Sequence, residues 1–522
     1  MKLKSLDPQA GRPKAAGVPA ESGAASSGAA NPGSPEPGGA GKSSTLKNSL
    51  ILVLAFAAAL TGFLIRIPEE ATLVDGAMLG FSAQAALGVL LFALILWITE
   101  AVPFHITGLL AMVLLAFFRV DKFTAVVAVG FGNHIVIFFI GVLILSAYIT
   151  HSGLGRRISV FLLSRTGNST ALIILGFLVA GTLLSMWLTN MAVAAMLMPL
   201  GRAVLEEEGV VPLKSRFGKA LMISICWGSI IGGIATPSGA GPNPLAIGFL
   251  KEMAGVEVNF LDWMMFGVPS ALLLLLPVWG ALLLFFPPEM KHLKKTKEEL
   301  AREFTELPPM QREEKVTLVI FLATVVLWVT SPFLETLTGL SLPISLPVIL
   351  TGCLFFFPGV SETPWKKVES EINWSGILLV LTGISLGMML YQTGAANWLS
   401  VLLLGGIGAF HPALQVFFVV LLVSFLKIAF SSNTVTATII IPIMIALAQN
   451  VGIPPLTIAM PAALTTSMAF ILVTSSPTNV IPYSAGYFSI RDMAVAGVFI
   501  TIIASVIVSL VIFGVGSLIG LY

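Results

Sequence analysis

The chain has 522 residues, of which 56% are hydrophobic and only 10% charged. That much apolar side chain does not fit inside a water-soluble core, so the composition excludes a soluble globular protein and predicts a polytopic membrane protein. A formal net charge of +2 singles out no charged partner, and nothing in the chain calls for nucleic acid.

Taken in chain order, residues 1–47 come first, rich in Ala, Gly, Pro and Ser with almost no large apolar side chain. They read as a disordered N-terminal tail on the cytoplasmic side. The first long apolar run begins only at Leu50, too late for a secretory signal and long enough to remain as a span. Runs at 48–65, 81–99, 171–188, 268–286, 316–329 and 494–522 are long enough, or nearly so, for the ~20 residues of a spanning helix. No stretch alternates as barrel strands do, so the expectation is an all-α protein with about eleven transmembrane helices plus two re-entrant hairpins. Cys226 and Cys353 both lie in apolar segments, which predicts buried thiols rather than a disulfide or metal site.

Positive charge orients the segments. The linker 287–315 carries Lys291, Lys294, Lys295, Lys297, Arg302, Arg312 and Lys315, and is predicted to be cytoplasmic. Arg156, Arg157 and Arg165 mark a second cytoplasmic region, and Arg202, Lys214, Arg216 and Lys219 a third. The apolar segment between them, about 170–201, then has both ends on one side. It must enter the membrane and turn back, with its tip at Thr189-Asn190-Met191.

A matching pattern, Ser432-Asn433-Thr434, occurs in the second half, inside a predicted hairpin at about 412–448; each Asn is followed nine residues later by a proline, Pro199 or Pro442. A second matched pair consists of breaker-rich runs, Thr236 to Asn243 and Ser475 to Asn479. The offsets are similar, 243 residues (433 minus 190) and 236 (479 minus 243). The segment 141–153, ending Tyr148-Ile-Thr-His-Ser-Gly153, also resembles 383–394, ending Met389-Leu-Tyr-Gln-Thr-Gly394. Cations follow only the first of these, which places equivalent ends on opposite membrane faces. The organisation predicted is therefore two inverted-topology repeats, 48–286 and 316–522, joined by the 287–315 linker.

Non-helical backbone at membrane depth survives only where protein, water or a ligand satisfies it. About ten helical residues reach roughly the bilayer midplane, so each hairpin tip falls there. Returning helices, expected from Ala192 and Val435, would aim free N–H groups at an anion. Carbonyls ending the incoming helices, near Leu188 and Ser431, suit a hard cation, and Asn amides with Ser or Thr hydroxyls serve either ion.

At these motifs the chain resembles the divalent anion/sodium symporter family, whose members carry Ser-Asn-Thr at two hairpin tips. Supporting stretches are Trp97-Ile-Thr-Glu100-Ala-Val-Pro103, Ile234-Ala-Thr-Pro with Gly241-Pro-Asn243, Asn373-Trp-Ser-Gly with Gly383-Ile-Ser-Leu-Gly387, and Ser432-Asn-Thr-Val-Thr-Ala-Thr438. The resemblance implies a multi-pass protein of the cell (inner) membrane, a homodimer with scaffold and transport domains. It also implies elevator-type secondary transport of di- or tricarboxylates, or of sulfate, usually with sodium as coupling ion and no other cofactor. Mapped on this chain, the anion would meet Asn190, Met191, Gly239, Ala240, Asn433, Thr434, Ser476 and Pro477. Cations would meet Ser185, Thr189, Asn190, Gly239 and Asn243 in one half, and Ser432, Asn433, Ser475 and Asn479 in the other.

Three departures individualise the chain. Met191 and Ala240 stand where hydroxyls are expected, so the first half of the pocket should be the less polar. Lys427 falls six residues before Asn433, with Ile428 and Ala429 where the family tends to have Thr and Glu. An ammonium there could replace a sodium ion's charge or carry a coupling proton; alternatively it snorkels or pairs with a carboxylate. Glu100 reads as a cap or interface residue. The five histidines show neither metal-ligand spacing nor a neighbouring carboxylate pattern. A sodium-independent exchanger stays open beside the symporter. A channel would need a continuous polar stripe, and an embedded enzyme a dyad or metal ligands, neither of which the sequence displays.

Overall fold

The computed structural model describes residues 42–65, 67–74, 76–294, 307–339 and 342–521. The predicted tail thus falls outside the described residues up to position 41, as does 295–306 of the linker. The described chain is helical, its non-helical pairings limited to isolated bridges at Val74–Ala77 and Ser169–His292. Ten of its helices are long and apolar enough to cross a membrane, and shorter apolar helices accompany them, Thr170–Ser185 among them.

In the first half the helices run α1 (Lys42–Leu64), α2 (Phe81–Thr99), α3 (Phe104–Phe117), α4 (Phe123–Phe131), α5 (His134–His151), α6 (Leu154–Ser164), α7 (Thr170–Ser185), α8 (Asn190–Glu207), α9 (Arg216–Ala235), α10 (Pro242–Ala254) and α11 (Phe260–Phe285). The second half continues with α12 (Arg312–Thr338), α13 (Ser345–Leu354), α14 (Trp365–Glu369), α15 (Trp374–Gln392), α16 (Ala395–Leu404), α17 (Pro412–Leu426), α18 (Asn433–Val451), α19 (Pro455–Thr466), α20 (Pro477–Tyr483) and α21 (Ile490–Leu518).

Burial sorts these helices. Nearly every residue of α9 is buried, and α7, α8 and α11 pack on it. By contrast α11 and α12 leave Leu273, Leu276, Val319 and Phe333 exposed, an apolar surface of the kind that lipid rather than water solvates. Cys226 on α9 is buried but Cys353 on α13 is exposed, which corrects the expectation of two buried thiols. Hydropathy alone does not distinguish a lipid-facing position from a core one.

Stretches that look alike in sequence fold alike. α5 and α15 both follow an asparagine whose side chain caps the helix, Asn133 accepting from Ile135 N and Asn373 from Gly376 N. Shortly after each helix comes a left-handed glycine, Gly153 and Gly394, both at φ 82°, a conformation that costs any other residue a Cβ clash. Glu100 ends α2 at φ 52°, and Trp97 Nε1 donates to Phe104 O (3.1 Å), so this motif forms the corner between α2 and α3.

The basic loops touch one another. Arg157 Nε lies 2.7 Å from Glu314 Oε1, Thr170 Oγ1 donates to Met290 O (2.6 Å), Phe217 N donates to Glu289 Oε2 (2.9 Å), and Lys294 N donates to Glu208 Oε1 (2.8 Å). Segments distant in sequence but alike in charge therefore meet. His151 Nε2 similarly lies 3.0 Å from Glu371 Oε1, a carboxylate neighbour that local spacing did not disclose.

Candidate functional site

Both Asn motifs start helices. α7 ends at Ser185, three residues before the expected stop near Leu188, and a short turn leads to α8, whose N-cap is Thr189 with its hydroxyl accepting from Ala192 N (3.4 Å). In the second half α17 ends at Leu426, a single 3-10 turn spans Lys427–Ala429, and α18 is capped by Ser432, accepting from Val435 N (3.4 Å). The two caps are alike to the atom. Helix begins at Asn190 and Asn433, two residues before the expected starts, because the capping hydroxyls satisfy N–H groups that would otherwise be free.

The breaks match as closely. Asn243 Nδ2 donates to Gly233 O and Thr236 O, both at 2.7 Å, ten and seven residues back. Asn479 Nδ2 donates to Ala469 O (2.7 Å) and Leu472 O (3.2 Å), again ten and seven residues back. Each asparagine thus pins the carbonyls exposed where a helix stops and a second one starts. Their Oδ1 atoms, with that of Asn433, are buried and have no hydrogen-bond partner among the described residues. Buried acceptors are nearly always paired, so these three oxygens are open to a group with positive charge or donors.

Packing crosses between halves. α10, which follows the first break, lies against α18, which follows the second tip; α20, after the second break, lies against α8, after the first tip. Gly241 and Thr434 nearly touch: a Cβ on Gly241 would sit 2.8 Å from Thr434 Oγ1 and 3.8 Å from the Phe139 ring. Thr189, Met191, Ala240, Gly241, Asn433 and Thr434 are half-buried, while Ser185, Asn190, Gly239, Ser475 and Ser476 lie beneath the surface. Phe139, on α5, joins this group without any signal in the motifs.

The two halves are closed differently. In the first, the Thr236 hydroxyl donates to Met186 O and the Ser238 hydroxyl donates to the same carbonyl (3.2 Å). With its amide nitrogen facing acceptors, Asn190 donates to Ser229 O (3.2 Å) and Gly239 O (3.0 Å) and lies 2.7 Å from Ser185 Oγ. In the second, the buried Nζ of Lys427 donates to Phe430 O (2.8 Å) and to Ser475 O. Lys427 is therefore buried rather than snorkelling to an interface, and among the described residues it pairs with no carboxylate, which corrects that alternative. Ser476 caps α20, accepting from Thr478 N (3.3 Å), with Pro477 as its first residue.

Gly233 packs on the Asn190 amide, and a Cβ there would overlap it. Helix propensity alone would favour Gly233→Ala by roughly 1 kcal/mol, whereas overpacking costs about 1–3 kcal/mol. The amide is tied to three partners and has nowhere to go. Gly233→Ala is expected to lower transport about tenfold while the protein still purifies as a folded species; transport equal to wild type would show that tip and α9 are not held together this way.

Comparison with known proteins places the chain among relatives. The family described as the sodium:sulfate symporter transmembrane region matches residues 48–521. A protein of Staphylococcus saprophyticus named sodium-dependent dicarboxylate transporter SdcS is 31% identical over 437 residues, covering 80% of this chain and 83% of that one. Its namesake in Staphylococcus aureus is 30% identical over 433 residues, with the same coverage. Among solved structures, the Alcanivorax borkumensis YdaH transporter aligns with a TM-score of 0.50 at 15% identity, over 91% of this chain and 98% of its own. Neisseria gonorrhoeae MtrF, from a class described as antimetabolite efflux pumps, aligns with a TM-score of 0.52 at 13% identity, over 90% and 94%. At that identity the two structures speak for the fold alone.

Proposed function

This chain belongs to the sodium:sulfate symporter family, and on that premise we propose that it carries small divalent organic anions, of the di- or tricarboxylate class, across the cell membrane with sodium as the coupling ion. It is a secondary transporter and not an enzyme. The observation that carries the substrate reading is the matched pair of tip and break units. The helix after each break packs against the helix after the other half's tip, and among the described residues the units hold three buried, unpaired Asn oxygens. Helix starts and hydroxyls favour an anion, and amide oxygens and carbonyls a hard cation. The name shared by the staphylococcal relatives supports both choices.

In this reading Asn433, Thr434, Ser476 and the backbone near Asn190, Gly239, Ala240 and Pro477 hold the anion, with Met191 forming an apolar wall. Ser185, Thr189, Asn190, Gly239 and Asn243 hold the first cation. Residues 48–286 and 316–522 are inverted repeats joined by the 287–315 linker, with α7–α8 and α17–α18 as re-entrant hairpins. The matched caps and bond offsets support the repetition, and the meeting of the basic loops supports a common cytoplasmic face. An elevator-type movement of a transport domain against a scaffold, in a homodimer, completes the proposal.

Counterflow in proteoliposomes tests it, using succinate, citrate, a dicarboxylate with an apolar substituent, and sulfate, each with and without sodium. Saturable, sodium-stimulated counterflow of a carboxylate dianion is expected. Flux of bulk ions without saturation would mean a channel, and counterflow confined to sulfate would overturn the carboxylate assignment.

A further inference from the structure

We propose that Lys427 is a tethered cation in the second half of the site, so that the protein couples its anion to one free sodium and works faster as an anion exchanger than as a net importer. This rests on the transporter reading above and extends it to the cycle.

The placement comes first. Lys427 Nζ bridges Phe430 O, just ahead of the Ser432-Asn433 tip, and Ser475 O, just ahead of the cap of α20. It therefore joins tip to break in the second half. In the first half the same junction is made by uncharged groups: the Thr236 and Ser238 hydroxyls on Met186 O, and the Asn190 amide on Gly239 O. Two converging backbone carbonyls are what a hard cation would take as ligands, and here an ammonium takes them.

Among the described residues the charge has no counter-ion. No Asp or Glu occurs between Glu371 and Asp492, which covers α15 to α20, nor between Asp121 and Glu206, nor between Glu208 and Glu252. Both tips and both breaks are thus built from chain free of carboxylates. Among the described residues Lys427 makes no ion pair, and its bonds are to carbonyls. A buried charge without a partner is strongly unfavourable, so the anion itself is the natural partner.

The consequence follows from the covalent bond. A sodium ion leaves with its anion, but a lysine stays. An ammonium and one sodium together balance a dianion, so the loaded carrier crosses with its charges compensated. An empty carrier must take a bare ammonium through the same low-dielectric path. Return with a second dianion bound avoids that penalty.

The test uses the purified full-length chain in proteoliposomes and a radiolabelled dicarboxylate found active in counterflow. Wild-type uptake into vesicles preloaded with unlabelled dianion is expected to exceed uptake into empty vesicles by at least about tenfold, with a sodium Hill coefficient near one. Lys427→Arg should keep that ratio, and Lys427→Thr should reduce it to about threefold or less while raising the Hill coefficient. Equal wild-type uptake into empty and preloaded vesicles would overturn the proposal, even if neither variant folds. So would a wild-type Hill coefficient near two, or net uptake into empty vesicles driven by a pH gradient, which would make Lys427 a proton carrier. If no dianion shows counterflow at all, the transporter reading itself fails, a separate and recognisable outcome.

Discussion

Replacing Asn243 with Asp is expected to reduce sodium-stimulated uptake to about one hundredth of wild type or less. Asn243 is fully buried, and its single amide nitrogen serves two carbonyls, Gly233 O and Thr236 O. A carboxylate offers these oxygens only lone pairs. Each buried carbonyl left unpaired costs about 1–3 kcal/mol, and burying a bare carboxylate adds several more. A neutral acid would restore one bond of the two. The break that ends α9 and starts α10 would therefore move, and with it the contact of Gly241 with Thr434. Asn479→Asp should act in the same direction but less severely, since one of its bonds is longer, at 3.2 Å. Uptake assays beside thermal melting of the purified variants check this; more than half of wild-type uptake by Asn243→Asp would rule out the pinning role.

Removing the Asn190 side chain is expected to raise the sodium concentration for half-maximal uptake by about tenfold or more. Its amide connects Ser185 on α7, Ser229 on α9 and Gly239 in the break, so Ala at this position loses three polar contacts at once. Asn433→Ala should instead weaken the apparent affinity for the anion more than that for sodium, because Lys427 supplies the positive charge in that half. Sodium titrations at saturating dicarboxylate, and the reverse, separate the two effects. Equal shifts for both variants would argue that the halves are used symmetrically.

Much of this site was readable from the chain because short-range chemistry repeats. Thr189 and Ser432 announce helix starts, Asn243 and Asn479 announce breaks, and the spacing between pairs survives folding. The roles were less legible. Asn243 and Asn479 looked like ligand donors, yet each uses its nitrogen to hold carbonyls ten and seven residues back, leaving only the oxygen free. The Thr236 and Ser238 hydroxyls on Met186 O span 50 and 52 residues, a distance over which no local pattern carries information. Hydropathy also overran helix ends: the apolar run 171–188 continues past Ser185, because side-chain polarity does not report where backbone hydrogen bonding changes. Phe139 escaped notice for a similar reason, being one more Phe in an apolar helix until Gly241 and Thr434 are folded against it.

The central claim is that both tip and break units enclose one anion, and cysteine protection tests it directly. Single cysteines at Met191 and Thr434, in a background lacking Cys226 and Cys353, would be labelled in membranes with a small thiol reagent. Dicarboxylate added with sodium should slow labelling at both positions together, and sodium alone should do so less. Protection at only one position, or at neither in a variant that still transports, would contradict a shared site.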